Sequence, residues 1–268
     1  MLSSKRHKGL RGLGTAVRTL TIFPWPGRGQ DDFASALIWF PLVGMALGLM
    51  LFGMWGAMAL FPFTPWPSMA ALCLLAAETW ATRGLHLDGL ADWADSIGGG
   101  LKREKRLSIM KDTAVGAFGV LALVIALLVK WAAFERLMTS GTLIWVVAVL
   151  TLSRAMMADL LIRLPYARAE GGTGQPFAVE ARGASRRVLY LLTLAVCLLY
   201  GPLGGGLFLT GMVETGLFRA RMRRVFGGIT GDLLGTANEM IELTLLTLMA
   251  LPGTHLAVYT GWAWMFTG

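Results

Sequence analysis

The feature that most limits this chain is a series of long apolar runs almost free of charge. They fall at roughly 33–60, 67–84, 114–134, 141–162, 187–201, 203–218 and 233–251. A helix needs about 20 mostly apolar residues to cross the hydrocarbon of a bilayer. With 55% hydrophobic and only 15% charged residues, and a mean hydropathy of +0.62, the chain lies far from the roughly 25% charge of a soluble domain. The pattern predicts an all-α fold, a polytopic transmembrane helical bundle with about seven spans (six to eight), making one integral membrane domain over 1–268. The runs 187–201 and 203–218 are short and meet at Gly201-Pro202-Leu203-Gly204, so they read either as two spans or as one interrupted helix. The stretch His255 to Phe266 is too short for a span, and its Tyr259, Trp262 and Trp264 suit a membrane interface.

The net charge of +8 would point to nucleic acid in a soluble protein. No aromatic–basic stacking module accompanies it here, so no nucleic-acid partner is expected. Basic residues of membrane proteins gather in cytoplasmic loops. With the N-terminus in the cytoplasm and alternating spans, the inner segments collect Lys5, Arg6, Lys8, Arg11, Arg18 and Arg28, then Arg83 and Lys102 to Lys111, then Arg163, Arg168, Arg182, Arg186 and Arg187, then Arg219 to Arg224. Lys130 and Arg136 flank an outer loop, and Phe61 to Trp66 carries no charge. Residues 1–30 read as a basic segment on the cytoplasmic membrane surface. Cys73 and Cys197 sit in apolar runs and read as small buried hydrophobes. Gly44, Gly48, Gly53 and Gly56 permit close helix approach, and paired glycine faces would also permit a homo-oligomer.

The chemistry concentrates after the second run. Asp88, Asp92 and Asp95 fall at i, i+4 and i+7, one face of a helix. Like charges at this spacing repel. Two readings follow: a solvated acidic face, or oxygen ligands for Mg²⁺, which binds one or two carboxylates together with substrate phosphates. Leu87, Leu90 and Trp93 alternate with the acids and favour a face turned into the bundle. Glu78, inside the preceding run, is a candidate to join them. Downstream, Gly98-Gly99-Gly100 and Gly116-Ala117-Phe118-Gly119 could bring backbone N–H groups to a phosphate, and Lys111 and Asp112 abut the third run. Lys102 to Arg106 reads equally as an ordinary basic loop. Tyr166 and Arg168, followed by Gly171-Gly172-Thr173-Gly174, could stack a base and hold an anion. Arg154, within a run, needs an acid or a substrate phosphate as partner. A last helix is predicted to start at Thr230 as its cap, with Asp232 and Glu239 on one face and Glu242 nearby. These acids form a second cluster, and all four polar segments lie on the cytoplasmic side. Together they suit phosphoryl transfer, which needs positioning and charge neutralisation.

The words GLHLDGLADWADS (84–96), RLSIMKDTAVGAFGVLAL (106–123), PYARAEG (165–171) and GGITGDLLGTANE (227–239), with FPLVGMALG (40–48), closely resemble the cobalamin synthase family, the adenosylcobinamide-GDP ribazoletransferases. The resemblance runs from about residue 15 to 250 in one order. It implies a bacterial inner-membrane enzyme, its active site facing the cytoplasm. Such an enzyme joins adenosylcobinamide-GDP to α-ribazole or its 5′-phosphate, yields GMP, and requires Mg²⁺. It implies catalytic roles for Asp88, Asp92, Asp112 and Asp232. It puts metal on Asp88, Asp92, Asp232 and Glu239 and phosphate on Lys111 and Arg168; the residue pattern itself adds Asp95 to the metal set, and His86, Tyr166 and Gly231 to the substrate set. The chain departs from the family pattern at Arg83, where Gly is frequent, at Trp93, where Thr is common, and at Thr113-Ala114, which replaces a frequent Ser-Arg. The alternative is a CDP-alcohol-type membrane phosphotransferase, whose D-x-x-D-G-x-x-A-R signature this chain lacks. A transporter should instead show broken helices or a repeat near the midplane.

Overall fold

A computed structural model of the chain describes residues 2–26, 32–60, 66–99, 102–172, 174–181 and 186–266. Arg28, Gly100, Thr173, Arg182 and most of the uncharged stretch 61–66 lie outside them. The helices are α1 (Leu2–Leu20), α2 (Phe33–Ala59), α3 (Pro67–Ala81), α4 (Leu85–Gly99), α5 (Arg103–Ile109), α6 (Ala117–Thr139), α7 (Trp145–Arg163), α8 (Gln175–Glu180), α9 (Arg186–Leu198), α10 (Pro202–Phe226), α11 (Gly231–Ala250) and α12 (His255–Val258). Among the described residues the one β contact is an isolated parallel bridge between Tyr166 and Ile229. The fold is all-α, as the apolar runs predict.

Among the described residues four helices, α2, α6, α7 and α11, are long and apolar enough to cross a membrane. The other three predicted spans are altered. At 15 and 13 residues, α3 and α9 reach only about 20 Å at 1.5 Å per residue, short of a hydrocarbon core of about 30 Å. The sixth run is the first part of α10, which continues through Arg219, Arg221, Arg223 and Arg224. The break between α9 and α10 is genuine. Gly201 has φ 80°, and its space is taken by the Gly261 backbone, so a side chain has neither the conformation nor the room.

The bundle is built around α7, whose residues from Trp145 to Leu161 are all buried. It packs along α2, and the contact depends on two glycines. A Cβ on Gly44 would collide with the Leu150 carbonyl, and one on Gly48 would sit 2.5 Å from the Val147 Cα. Gly53 and Gly56 face open space, so the close approach uses only the first half of the glycine series. The outward faces carry Leu121, Ile125 and Leu128 on α6 and Leu209, Val213 and Leu217 on α10. Such apolar exposure is what lipid contact requires.

A second close pair positions the polar end. A Cβ on Gly89 of α4 would lie 2.5 Å from the Asp232 carbonyl, and one on Gly235 of α11 would lie 3.1 Å from the His86 Cα. The Thr236 hydroxyl donates across the seam to the Gly89 carbonyl at 2.9 Å. Thr230 caps α11, accepting from the Leu233 N–H at 3.2 Å, as predicted from the sequence. The chain reverses into α4 through Arg83 and Gly84, at φ 57° and 63°.

Candidate active site

The α4–α11 seam brings three of the predicted acids into one electrostatic neighbourhood. Asp92 is half-buried and carries a carboxyl pushed up to about 7, first by burial and then by the Asp232 and Asp88 carboxylates, with Arg168 opposing. Asp88 and Asp232 border one cavity. Arg168 donates to Asp232 at 2.6 Å and to the Met110 carbonyl at 3.3 Å. Its loop is fixed by the bridge at Tyr166: Ala167 N–H donates to Ile229 O at 2.8 Å, and Ile229 N–H to Pro165 O at 2.9 Å. Arg103 of α5 donates to the Ala167 carbonyl at 3.0 Å. The loop after α7 therefore delivers a guanidinium to the first turn of α11.

The remaining candidates separate into three groups. Lys111 is exposed and pairs with Glu170, beside the Arg168 loop. The side chain of Asp112 accepts from the Ala114 N–H at 3.1 Å and stays exposed. Tyr166 is half-buried against Gly172 and Gly174, and burial raises its hydroxyl's pKa. Gly231 lies at the start of α11 on the cavity wall. His86 is buried, with neither ring nitrogen hydrogen-bonded. Burial, then the charges of Arg154 and Lys130, hold its pKa well below the usual imidazole range.

Asp95 and Glu239 are placed elsewhere. The Asp95 carboxylate accepts the N–H groups of Gly116 at 2.7 Å and Gly119 at 2.8 Å. It caps α6 from another helix, at a start whose own residue supplies no side-chain cap. Of the glycines predicted to approach a phosphate, Gly116 and Gly119 approach this carboxylate instead, and a Cβ on either would strike it, while Gly98 packs on the Phe118 ring. Glu239 faces Lys130 at 3.0 Å, inside the bundle. Lys130 is not a loop-flanking cation, as its position next to an outer loop implies. It is buried among Glu78 at 3.1 Å, Glu239, and Glu242 at 2.6 Å. Arg154 also pairs with Glu242, which accepts from Ser153 at 3.1 Å and Asn238 at 2.8 Å. Glu78 thus belongs to this network and not to the aspartate cluster. Buried acids in hydrocarbon need cations, and Lys130 is the one that spacing alone could not assign.

Among the described residues no three His, Cys, Asp or Glu side chains converge into a ready-built metal cage. The site offers instead a partly open oxygen cluster with one guanidinium, on a rigid helix pair. Such an arrangement has the chemistry to accept a ligand that brings charges of its own.

The fold and site define a helical membrane protein with a cluster of carboxylates and one guanidinium at its polar end. The model of the Cobalamin-5-phosphate synthase family matches residues 12–250, and the chain belongs to that family. An adenosylcobinamide-GDP ribazoletransferase of Chlorobium phaeobacteroides is 40% identical over 254 residues, covering 93% of this chain and 99% of its own. The protein of that name from Chlorobaculum parvum is 41% identical over 248 residues, 90% and 96% of the two chains. The one from Syntrophobacter fumaroxidans is 38% identical over 243 residues, 88% and 97%. No solved structure matches.

Proposed function

We propose that the chain is a Mg²⁺-dependent transferase of cobalamin synthesis that joins adenosylcobinamide-GDP to α-ribazole or its 5′-phosphate. The ribazole 3′-hydroxyl oxygen forms a bond to the phosphorus next to the cobinamide aminopropanol. The bond from that phosphorus to the bridging oxygen breaks, GMP leaves, and the hydroxyl proton passes to a carboxylate of the cluster. The observation that carries this reading is the meeting of Asp88, Asp92 and Asp232 with Arg168 at one end of the α4–α11 pair.

The donor set fits a hard cation. Asp92 sits where burial and two carboxylates disfavour its charge, a conflict that a cation relieves. Asp88, Asp92 and Asp232 would hold Mg²⁺ together with substrate phosphates. The ion would neutralise diphosphate charge as GMP departs. Arg168 and Lys111 are the cations that would orient the diphosphate. Both already pair with acids, Asp232 and Glu170, so a diphosphate would exchange with a carboxylate rather than fill a bare site. The site opens to the cytoplasm of an inner membrane in the orientation that the basic loops favour.

The test is GMP release by membranes holding the full chain, given both substrates and Mg²⁺. Asp88→Asn should abolish release while insertion is unchanged. Near-normal turnover in that variant sinks the metal assignment, and no GMP from the unaltered chain sinks the reaction.

A further inference from the structure

Beside the aspartate cluster lies a cavity of about 330 Å³, within the size range of small-ligand sites. Phe33, Phe40, Phe177 and Leu161 supply much of its wall. Phe177 meets Phe33 edge-on at 4.7 Å and Phe40 at 5.8 Å. Its polar groups are mostly committed: Thr19 donates to the Thr15 carbonyl, Arg83 to the Arg18 carbonyl, and Asp232 accepts from Arg168. His86 is different. It borders the cavity at 2% exposure, and both ring nitrogens are buried without a hydrogen-bond partner in the protein, so the imidazole must turn toward the cavity to meet a ligand. A buried polar group without a partner is rare, and its cost disappears when a ligand supplies one.

We propose that this cavity receives the aromatic base of the acceptor nucleoside, with His86 hydrogen-bonding the base's free ring nitrogen. The inference rests on the transfer reaction above and adds the place and chemistry of acceptor recognition. A benzimidazole is flat and apolar and presents a single ring-nitrogen acceptor, which matches three phenyl rings and one unanswered imidazole. Guanine, the other base in the reaction, carries an amide and an amino group along one edge. Buried here it would leave donors and acceptors unpaired, at about 1–3 kcal/mol each. The placement also suits the chemistry. Asp88 and Asp232 border the same cavity, so a base seated in it puts its ribose beside the carboxylates, where the 3′-hydroxyl must react.

Direct binding to the purified full chain tests this without turnover. The probes are α-ribazole, a benzimidazole riboside, and the matching indole riboside, in which C–H replaces the free ring nitrogen. Equilibrium dialysis of the unaltered chain should show α-ribazole bound about tenfold more tightly than the indole analogue. In His86→Phe the two should bind alike, with GDP binding unchanged. Equal affinity of the two ribosides for the unaltered chain overturns the proposal, and needs no variant to fold. So does a preference that persists in His86→Phe, or a loss of GDP binding in its place. Failure of the transfer reaction is read separately, as absence of GMP release by a chain that still discriminates the ribosides.

Discussion

The chain holds two charge clusters built from similar side chains, and they differ in how completely their charges are answered. In the bundle, Glu78, Glu239 and Glu242 surround Lys130, and Arg154 closes on Glu242. All five side chains are buried. At the polar end, Arg168 pairs with Asp232 and acts on Asp92 through space, and Asp88, Asp92 and Asp232 remain at least partly open. The first cluster uses its cations internally and leaves little charge for a ligand. The second has carboxylates in excess, and one of them, Asp92, is pushed up to about 7 by burial and its acidic neighbours. Acidic side chains serve the fold where their counter-charge is built in, and on the proposed reading serve chemistry where it must arrive from outside.

The strongest way to break the contrast is to remove the built-in cation. Lys130→Met leaves three buried carboxylates with only Arg154 beside them. Breaking a buried pair in this way costs about 3–5 kcal/mol. We expect loss of a monodisperse, thermally stable chain in detergent. A variant as stable as the parent would show that the inner cluster is not structural. Asp92→Asn should do the opposite. GMP release should fall by at least about a hundredfold, the range seen when one preorganised charge-stabilising group is lost. The melting temperature should hold or rise, because the substitution removes a charge that its neighbours oppose. A stability loss like that of Lys130→Met would erase the distinction between the clusters.

The seam that aligns the aspartates gives a finer test. Gly89→Ala puts a methyl 2.5 Å from the Asp232 carbonyl, and overpacking of this kind costs about 1–3 kcal/mol. Activity and stability should fall together, as α4 moves off α11. Gly53→Ala is the control. Its Cβ meets nothing within 4 Å, so helix propensity alone applies, and stability should be unchanged or up to about 1 kcal/mol higher. Equal effects at the two glycines would deny the seam its role.

Much of this was legible in the residues, for physical reasons that also mark where legibility stops. Apolar runs set the bounds of α2, α6, α7 and α11 to within five residues, because a helix that crosses hydrocarbon writes its length in hydropathy. Helical spacing put Asp88 and Asp92 on one face, and the Thr230 cap set the start of α11. The same spacing also put Asp95 with Asp88, and Glu239 with Asp232. Periodicity gives a direction around a helix but not the partner found there. Asp95 meets the start of α6, and Glu239 lies seven residues, about 10 Å, deeper than Asp232, level with Lys130. The aromatic cavity draws on α1, α2, α7, α8 and α11 as well as α4, and no local motif announces a wall assembled from so many elements.

The smallest expected effect falls at the turn between α3 and α4. Arg83 is the one non-glycine with positive φ among the described residues, at a position where the resembling family often has Gly. The left-handed conformation costs an L-residue roughly 1–2 kcal/mol. Its side chain's bond to the Arg18 carbonyl, 3.1 Å and exposed, returns only part of that. Arg83→Gly should therefore raise the melting temperature by a few degrees, an effect of about 1 kcal/mol. Yet Arg83 also borders the cavity beside Asp88 and Asp232, so the same variant asks what the strain is for. A stabilised enzyme with an unchanged KM for ribazole assigns Arg83 to the turn alone. A stabilised enzyme with a raised KM shows backbone strain held for the sake of binding. That outcome would extend the contrast between the clusters from charge to conformation, with the fold relaxed in the bundle and strained at the site.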